Sequence, residues 1–139
     1  MTGKIFVDSN VWVYLFAKDD NAKSLIASKF ISEKIKGSRL VISFQVINEA
    51  CRILKKKGFT EEKLRFVINS LAKICEIHQS AAALSLKASE LREVHGFSFW
   101  DSHIVVHAMD AQCNLLASED MQDGREINGM IIKDIFAGI

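Results

Sequence analysis

Net charge is nearly absent from this chain: 18 Lys plus Arg stand against 17 Asp plus Glu, a formal +1. With no global field to attract a polyanion, a nucleic-acid partner has to be held by a local patch. No apolar run is long enough to span a bilayer, because Asp8, Ser9 and Asn10 and then Lys18, Asp19 and Asp20 interrupt the stretch near the start, and no signal-peptide cleavage pattern accompanies it. These absences argue against a membrane partner and lead to the expectation of a cytoplasmic protein. There is no C-x-x-C. Cys51, Cys75 and Cys113 are scattered, which suits reduced core thiols and argues against disulfides or a zinc knuckle. Proline is missing altogether, and neither G-x-G-x-x-G nor G-x-x-x-x-G-K-[ST] follows an apolar segment, so the usual phosphate cradle of a nucleotide cofactor is lacking.

What is present is apolar residue in quantity, 49% of 139 residues, enough for a sizeable core in one domain spanning 1–139 and too much for disorder. Ile5-Phe6-Val7 predicts a strand, ended by Asp8-Ser9-Asn10, which can cap a helix beginning near Val11. Leu25, Ile26, Phe30, Ile31 and Ile35 predict a second helix stopping at Gly37. Leu40-Val41-Ile42 is the next strand, and Ser43 leads into an amphipathic helix from Phe44 to Lys57. Thr60 caps another with Leu64, Val67, Ile68 and Leu71 inward. A third strand is expected over 74–77, then a helix from about Ser80 to His95 closed by Gly96, and a helix opened by Ser98 and running towards Gln112. Leu115-Leu116-Ala117 is the fourth strand, a polar loop covers 118–129, and Met130-Ile131-Ile132 is the fifth. Strands alternating with helices imply an α/β fold, a parallel sheet covered on both faces.

Sheets of that kind bind ligands at the carboxyl ends of their strands, beside the point where strand order reverses. The polar residues fall where that rule puts a site. Asp8 and Asn10 follow the first strand, Ser43 the second, and Ser118 and Asp120 the fourth; Glu49 lies in the helix after the second strand, and Asp101 in the first turn of the helix before the fourth. Two carboxylates about 4 Å apart repel by roughly 4 kcal/mol at an effective dielectric of 20, so Asp8, Glu49, Asp101 and Asp120 brought together need protons or a bound cation. All-oxygen ligands select hard ions, Mg2+ or Mn2+, which bind through a few carboxylates plus substrate phosphate. That is the chemistry of phosphodiester hydrolysis by metal-activated water. Asn10 and Ser118 are placed to orient metal waters or the scissile phosphate.

Four segments together resemble the PIN-domain ribonucleases, in particular the toxins of VapBC-type toxin–antitoxin modules: Phe6-Val7-Asp8-Ser9-Asn10-Val11, Ser43-Phe44-Gln45-Val46-Ile47-Asn48-Glu49, Phe99-Trp100-Asp101-Ser102, and Leu115-Leu116-Ala117-Ser118-Glu119-Asp120-Met121-Gln122-Asp123-Gly124. The resemblance implies a three-layer α/β/α PIN-like domain with about five parallel strands in the order 3-2-1-4-5. It also implies a Mg2+- or Mn2+-dependent endoribonuclease, a homodimer, and inhibition by an antitoxin. Asp8, Glu49, Asp101 and Asp120 match the family's acids, and Asn10 and Ser118 its small polar positions. Asp123 is the alternative to Asp120 in the metal shell. The competing functions are a PIN-fold RNA-processing nuclease without an antitoxin and a catalytically silent interaction protein on the same fold. A phosphatase of the haloacid-dehalogenase kind wants a second Asp where Asn10 stands.

Each residue also has a plainer reading. Asp8 can be a helix cap and Asp101 an arm of a capping box with Ser98. Glu49, at the margin of an apolar face, can pair with Arg52. Glu119 is expected to face solvent. His103 and His107, four apart on one helix, have no matching third zinc ligand and read as a surface or dimer-contact pair. Arg52 and Lys56 share a flank with Glu49 and are expected to hold RNA phosphates, although such basic runs also occur as solvated faces. Among Trp12, Tyr14, Phe16 and Trp100 most are expected in the core, with Trp12 and Phe16 the pair that can line a groove for an antitoxin.

Overall fold

The computed structural model describes residues 3–138. Its elements in chain order are β1 (Lys4–Val7), α1 (Ser9–Ala17), α2 (Asn21–Gly37), β2 (Arg39–Ser43), α3 (Phe44–Lys56), α4 (Glu61–Ile74), β3 (Cys75–His78), α5 (Ala82–His95), α6 (Phe99–Asp110), β4 (Leu115–Ala117), β5 (Glu126–Ile127) and β6 (Met130–Lys133). The starts are set by capping. Asp8 accepts from the Ser9 N–H, Asp20 and Thr60 from the Lys23 and Lys63 N–H groups, and Ser98 from that of Asp101. The first helix accordingly begins two residues before Val11, and Asp8 itself is its cap. At the other end of α5, Gly96 takes the left-handed conformation (φ 72°) that glycine adopts without strain.

The sheet order is β3-β2-β1-β4-β6-β5. Four neighbouring pairs are parallel, and only β5 against β6 is antiparallel. The expected order 3-2-1-4-5 is therefore present, its fifth strand being β6, with one addition. Glu126–Ile127 lies in a segment read as loop; it forms a hairpin with β6 through Asn128 (φ 49°) and Gly129 (φ 85°), the left-handed pair a two-residue hairpin turn demands. Two residues are too few to show an alternating pattern, so this strand had no signal beyond its turn.

From β1 the chain steps outward to β2 and β3, then crosses back to β4 on the far side of β1. With right-handed crossovers, that reversal places α1 to α4 on one face and α5 and α6 on the other. Phe6, Val7, Leu40, Val41, Ile42, Leu116 and Ile132 are buried between the layers. Trp12 is fully buried as well, its indole N–H donating to the Val7 carbonyl at 3.2 Å. It cannot line a groove for a partner, because α1 is packed between the sheet, α2 and α3, which enclose Val11, Trp12 and Val13 alike. Phe16, one turn on, is half-buried beside a shallow surface depression with Leu15, Lys18, Leu25 and Phe66. Trp100 is the opposite correction, 61% exposed rather than core. All three cysteines are unpaired thiols. No helix among the described residues is long and apolar enough to cross a membrane.

Candidate active site

Strand order reverses at β1, so the residues following β1 and β4 meet. Val7 is in register with Ala117, and the Asp8 N–H donates to the Ala117 carbonyl at 2.9 Å. Asp8 and Ser118 thereby become neighbours, and the Ser118 hydroxyl donates to Asp8 Oδ2 at 2.9 Å while the Ser9 N–H occupies Oδ1 at 2.8 Å. Asp120, two residues beyond Ser118, accepts from Asn10 Nδ2 at 2.6 Å. On α3, Glu49 accepts from Ser9 Oγ and from Gln45 Nε2, each at 3.2 Å. Gln45 Nε2 also reaches the Trp100 carbonyl at 3.4 Å, which ties the start of α3 to the start of α6 and to Asp101.

The electrostatics report the convergence. Burial pushes the Asp8 carboxyl up to about 6; the Ser9 and Ser118 hydrogen bonds oppose this, and the charges of Glu49 and Asp101 add to it. Asp101, half-buried, is also raised, first by burial and then by Asp120 and Glu49, against a hydrogen bond from Ser98. Asp8 and Asp101 are thus each raised in part by two of the other acids. No Lys or Arg among the described residues forms a salt bridge with any of them; the six ion pairs present lie elsewhere. Their hydrogen-bond donors are neutral hydroxyls, amides and one backbone N–H.

A hard divalent cation fits this donor set by charge and chemistry: oxygen ligands only, mutually repelling, with no fixed positive side chain already among them. As the side chains stand, no three His, Cys, Asp or Glu among the described residues are close enough to share one ion. For the four to share one ion, the exposed Asp120 and the half-buried Glu49 and Asp101 would have to turn inward towards the buried Asp8.

Other predicted residues sort themselves by contact. Asp8 is both a helix cap and a member of the carboxylate cluster, so its two readings are not exclusive. Asn10 and Ser118 hold carboxylates rather than open space. Asp123 is not among the charges that raise Asp8 or Asp101; its Oδ1 accepts the Asp134 N–H at 2.9 Å, a loop-fixing role. Glu119 does not face solvent freely, since it accepts from Tyr14 Oη at 2.8 Å and pairs with Lys23. Arg52 and Lys56 are exposed further along α3, and neither is ion-paired with Glu49. His107 is buried, not a surface residue, and its pKa is pushed below the ordinary histidine value first by burial and then by His78 and His103. Ser9 and Gln45 were missed. The signal for Gln45 was its place one turn before Glu49, where an amide and a carboxylate share a helix face. The surface cavity of about 520 Å³ between α5, α6 and Asn128 contains none of the four acids.

A family model described as PIN domain matches residues 5–123. Among solved structures, the chain is similar to Mycobacterium tuberculosis VapC20, described as a sarcin-ricin loop cleaving toxin. The two are 20% identical, with 81% of this chain and 86% of that one covered and a TM-score of 0.68. It is also similar to VapBC2 from Rickettsia felis, solved bound to a DNA fragment from its promoter, at 19% identity over 94% of this chain and 97% of that one, with a TM-score of 0.69. Those likenesses speak for the fold. No curated protein sequence matches the chain.

Proposed function

The chain belongs to the PIN domain family, and from that premise we propose that it is a metal-dependent endoribonuclease, the toxin of a VapBC-type pair, folded as one domain over 1–139. The observation that carries this reading is that Asp8, Glu49, Asp101 and Asp120 gather along the carboxyl edge of the sheet with no Lys or Arg among the described residues ion-paired to them. The similar structures support the assignment of substrate and partner: one is described as a sarcin-ricin loop cleaving toxin, the other as VapBC2 bound to promoter DNA.

Asp8, Glu49, Asp101 and Asp120 would hold Mg2+ or Mn2+, which when bound supplies Lewis acidity and a water of lowered pKa. The chain's own groups do the positioning. Ser118 and the Ser9 N–H clamp the two oxygens of Asp8, fixing its plane. Asn10 holds Asp120, and Gln45 with Ser9 holds Glu49, so these two carboxylates are held by neutral donors and can turn towards a cation without separating an ion pair. Arg52 and Lys56, on the same helix as Glu49 and without an ion pair among the described residues, are available to strand phosphates beyond the site. A homodimer neutralised by an antitoxin completes the proposal, and the half-buried Phe16 is the remaining candidate for that contact.

The test is cleavage of structured RNA. Mg2+ or Mn2+ should support it, EDTA should abolish it, and the fragments should carry 5′-phosphate and 3′-hydroxyl ends, because in-line attack by water does not use the ribose 2′-hydroxyl. Full activity after exhaustive metal removal, or 2′,3′-cyclic phosphate ends, overturns the mechanism.

A further inference from the structure

Three large aromatic side chains stand exposed on elements that carry the carboxylates: Trp100 at 61%, Phe99 at 52% and Phe44 at 52%. None belongs to the hydrophobic core or to the partly buried residues packed on it. Trp100 precedes Asp101, and its carbonyl receives the same Gln45 amide that holds Glu49. Phe44 precedes Gln45. The indole is supported from beneath: Phe99 meets it edge-on with centroids 5.0 Å apart, and His103 lies against both rings at 5.1 and 5.9 Å. The Arg92 guanidinium covers the Phe99 ring at 4.5 Å and donates to Ser102 Oγ, so the cluster is braced against α5.

Keeping so much apolar ring area in water is unfavourable and marks a contact surface. Its neighbours narrow the occupant. The adjoining edge is acidic, and the chain carries almost no net positive charge, so the electrostatic hold that most nucleic-acid binders have on phosphates is weak here. Stacking of bases on aromatic faces needs no charge and works with any base. In a duplex those faces are already stacked, whereas loops and single strands present them. A strand that crosses the start of α6 at Asp101 also passes Trp100, the residue before it.

We propose that Trp100, braced by Phe99 and His103, is a stacking platform for an unpaired nucleobase of the RNA strand cut at the carboxylates, and that it restricts the substrate to looped or single-stranded segments. This rests on the nuclease reading above. Trp12 and Trp100 are the only tryptophans, and Trp12 is fully buried, so quenching of exposed indole emission reports Trp100 directly.

The experiment titrates a single-stranded oligoribonucleotide, and the same sequence as a duplex, into the full chain in EDTA. It then compares cleavage of a hairpin RNA by the wild type, Trp100→Ala and Trp100→Phe. The single strand should quench emission and the duplex should not. Trp100→Ala should weaken oligonucleotide binding and lower kcat/KM about tenfold or more, mostly through KM, with an unchanged melting temperature; Trp100→Phe should recover most of both. Absence of quenching together with wild-type cleavage by Trp100→Ala overturns the platform and leaves the nuclease standing. Quenching without cleavage of any RNA by the wild type upholds the platform and overturns the nuclease. Indole emission already shielded in the free protein, with a smaller oligomer formed by Trp100→Ala, makes this face a protein interface and overturns the proposal.

Discussion

Towards the amino end of the parallel sheet, Glu76 on β3 receives Lys4 Nζ from β1 at 3.4 Å and Arg39 Nη1 from β2 at 3.2 Å. At the carboxyl end, Asp8, Glu49, Asp101 and Asp120 receive only neutral donors among the described residues. The same fold thus supplies two cations to one acid at one edge and none to four acids at the other. A partly exposed pair such as Glu76 with Lys4 contributes about 1 kcal/mol or less to stability. A buried acid without a counter-charge costs stability instead, and clusters of such groups collect where a ligand or a reaction uses them. The difference separates a carboxylate that holds the sheet together from carboxylates that the sheet holds in place.

The largest effect expected from breaking this contrast is on cleavage. Asp8→Asn and Asp101→Asn each remove one negative charge from the unpaired cluster and should lower the rate on the order of 10³-fold or more. Thermal unfolding without metal should be unchanged or raised, because repulsion is relieved. If instead these acids act only as helix caps, the variants lose up to about 1 kcal/mol and keep near-normal activity.

A second test reads the buried charge directly. The folded-state value of Asp8, about 6, lies above its ordinary value of 3.8, so the folded protein binds the extra proton more tightly than the unfolded chain. This group's contribution is therefore most favourable below pH 3.8 and is lost as the pH rises through 6, by about 3 kcal/mol in all. The metal-free wild type should lose stability relative to Asp8→Asn between pH 4 and 7, as followed by urea unfolding. Parallel pH profiles would show that Asp8 is not a strained anion. Saturating Mg2+ should raise the wild-type melting temperature and that of Asp8→Asn much less.

The smallest effect belongs to the other edge. Glu76→Gln keeps the shape and removes the charge, so it should cost about 1 kcal/mol or less and leave cleavage within twofold. A loss of activity there as large as that of Asp101→Asn would mean that the two edges are not functionally distinct.

Much of this architecture was legible before any coordinates. The alternation of Ile5-Phe6-Val7, Leu40-Val41-Ile42, Leu115-Leu116-Ala117 and Met130-Ile131-Ile132 with capped helical segments marks strands and helices through local chemistry, and those boundaries agree to within about two residues. Local chemistry also flagged all four acids as residues following or flanking strands. It misjudged the tryptophans. Trp12 and Trp100 both stand early in helices beside polar caps, and no periodicity within one turn says which ring a neighbouring layer will cover. It misjudged Glu119 for a related reason: a carboxylate in a loop has no neighbour until the loop is folded back onto Tyr14.

What the sequence by itself determined, then, is where elements begin and end, because caps, apolar spacing and turn residues act over a few positions. Which elements lie side by side was decided by the tertiary structure alone. Asn10 meets Asp120 and Asp8 meets Ser118, in each case across 110 positions, because β4 pairs with β1 in the register that opposes Val7 to Ala117. That register follows from crossover handedness and from burying both faces of the sheet. The same long-range choice sets the chemistry: desolvation and mutual repulsion raise Asp8 and Asp101 only once distant carboxylates share one edge, and neither quantity exists for the chain read one segment at a time.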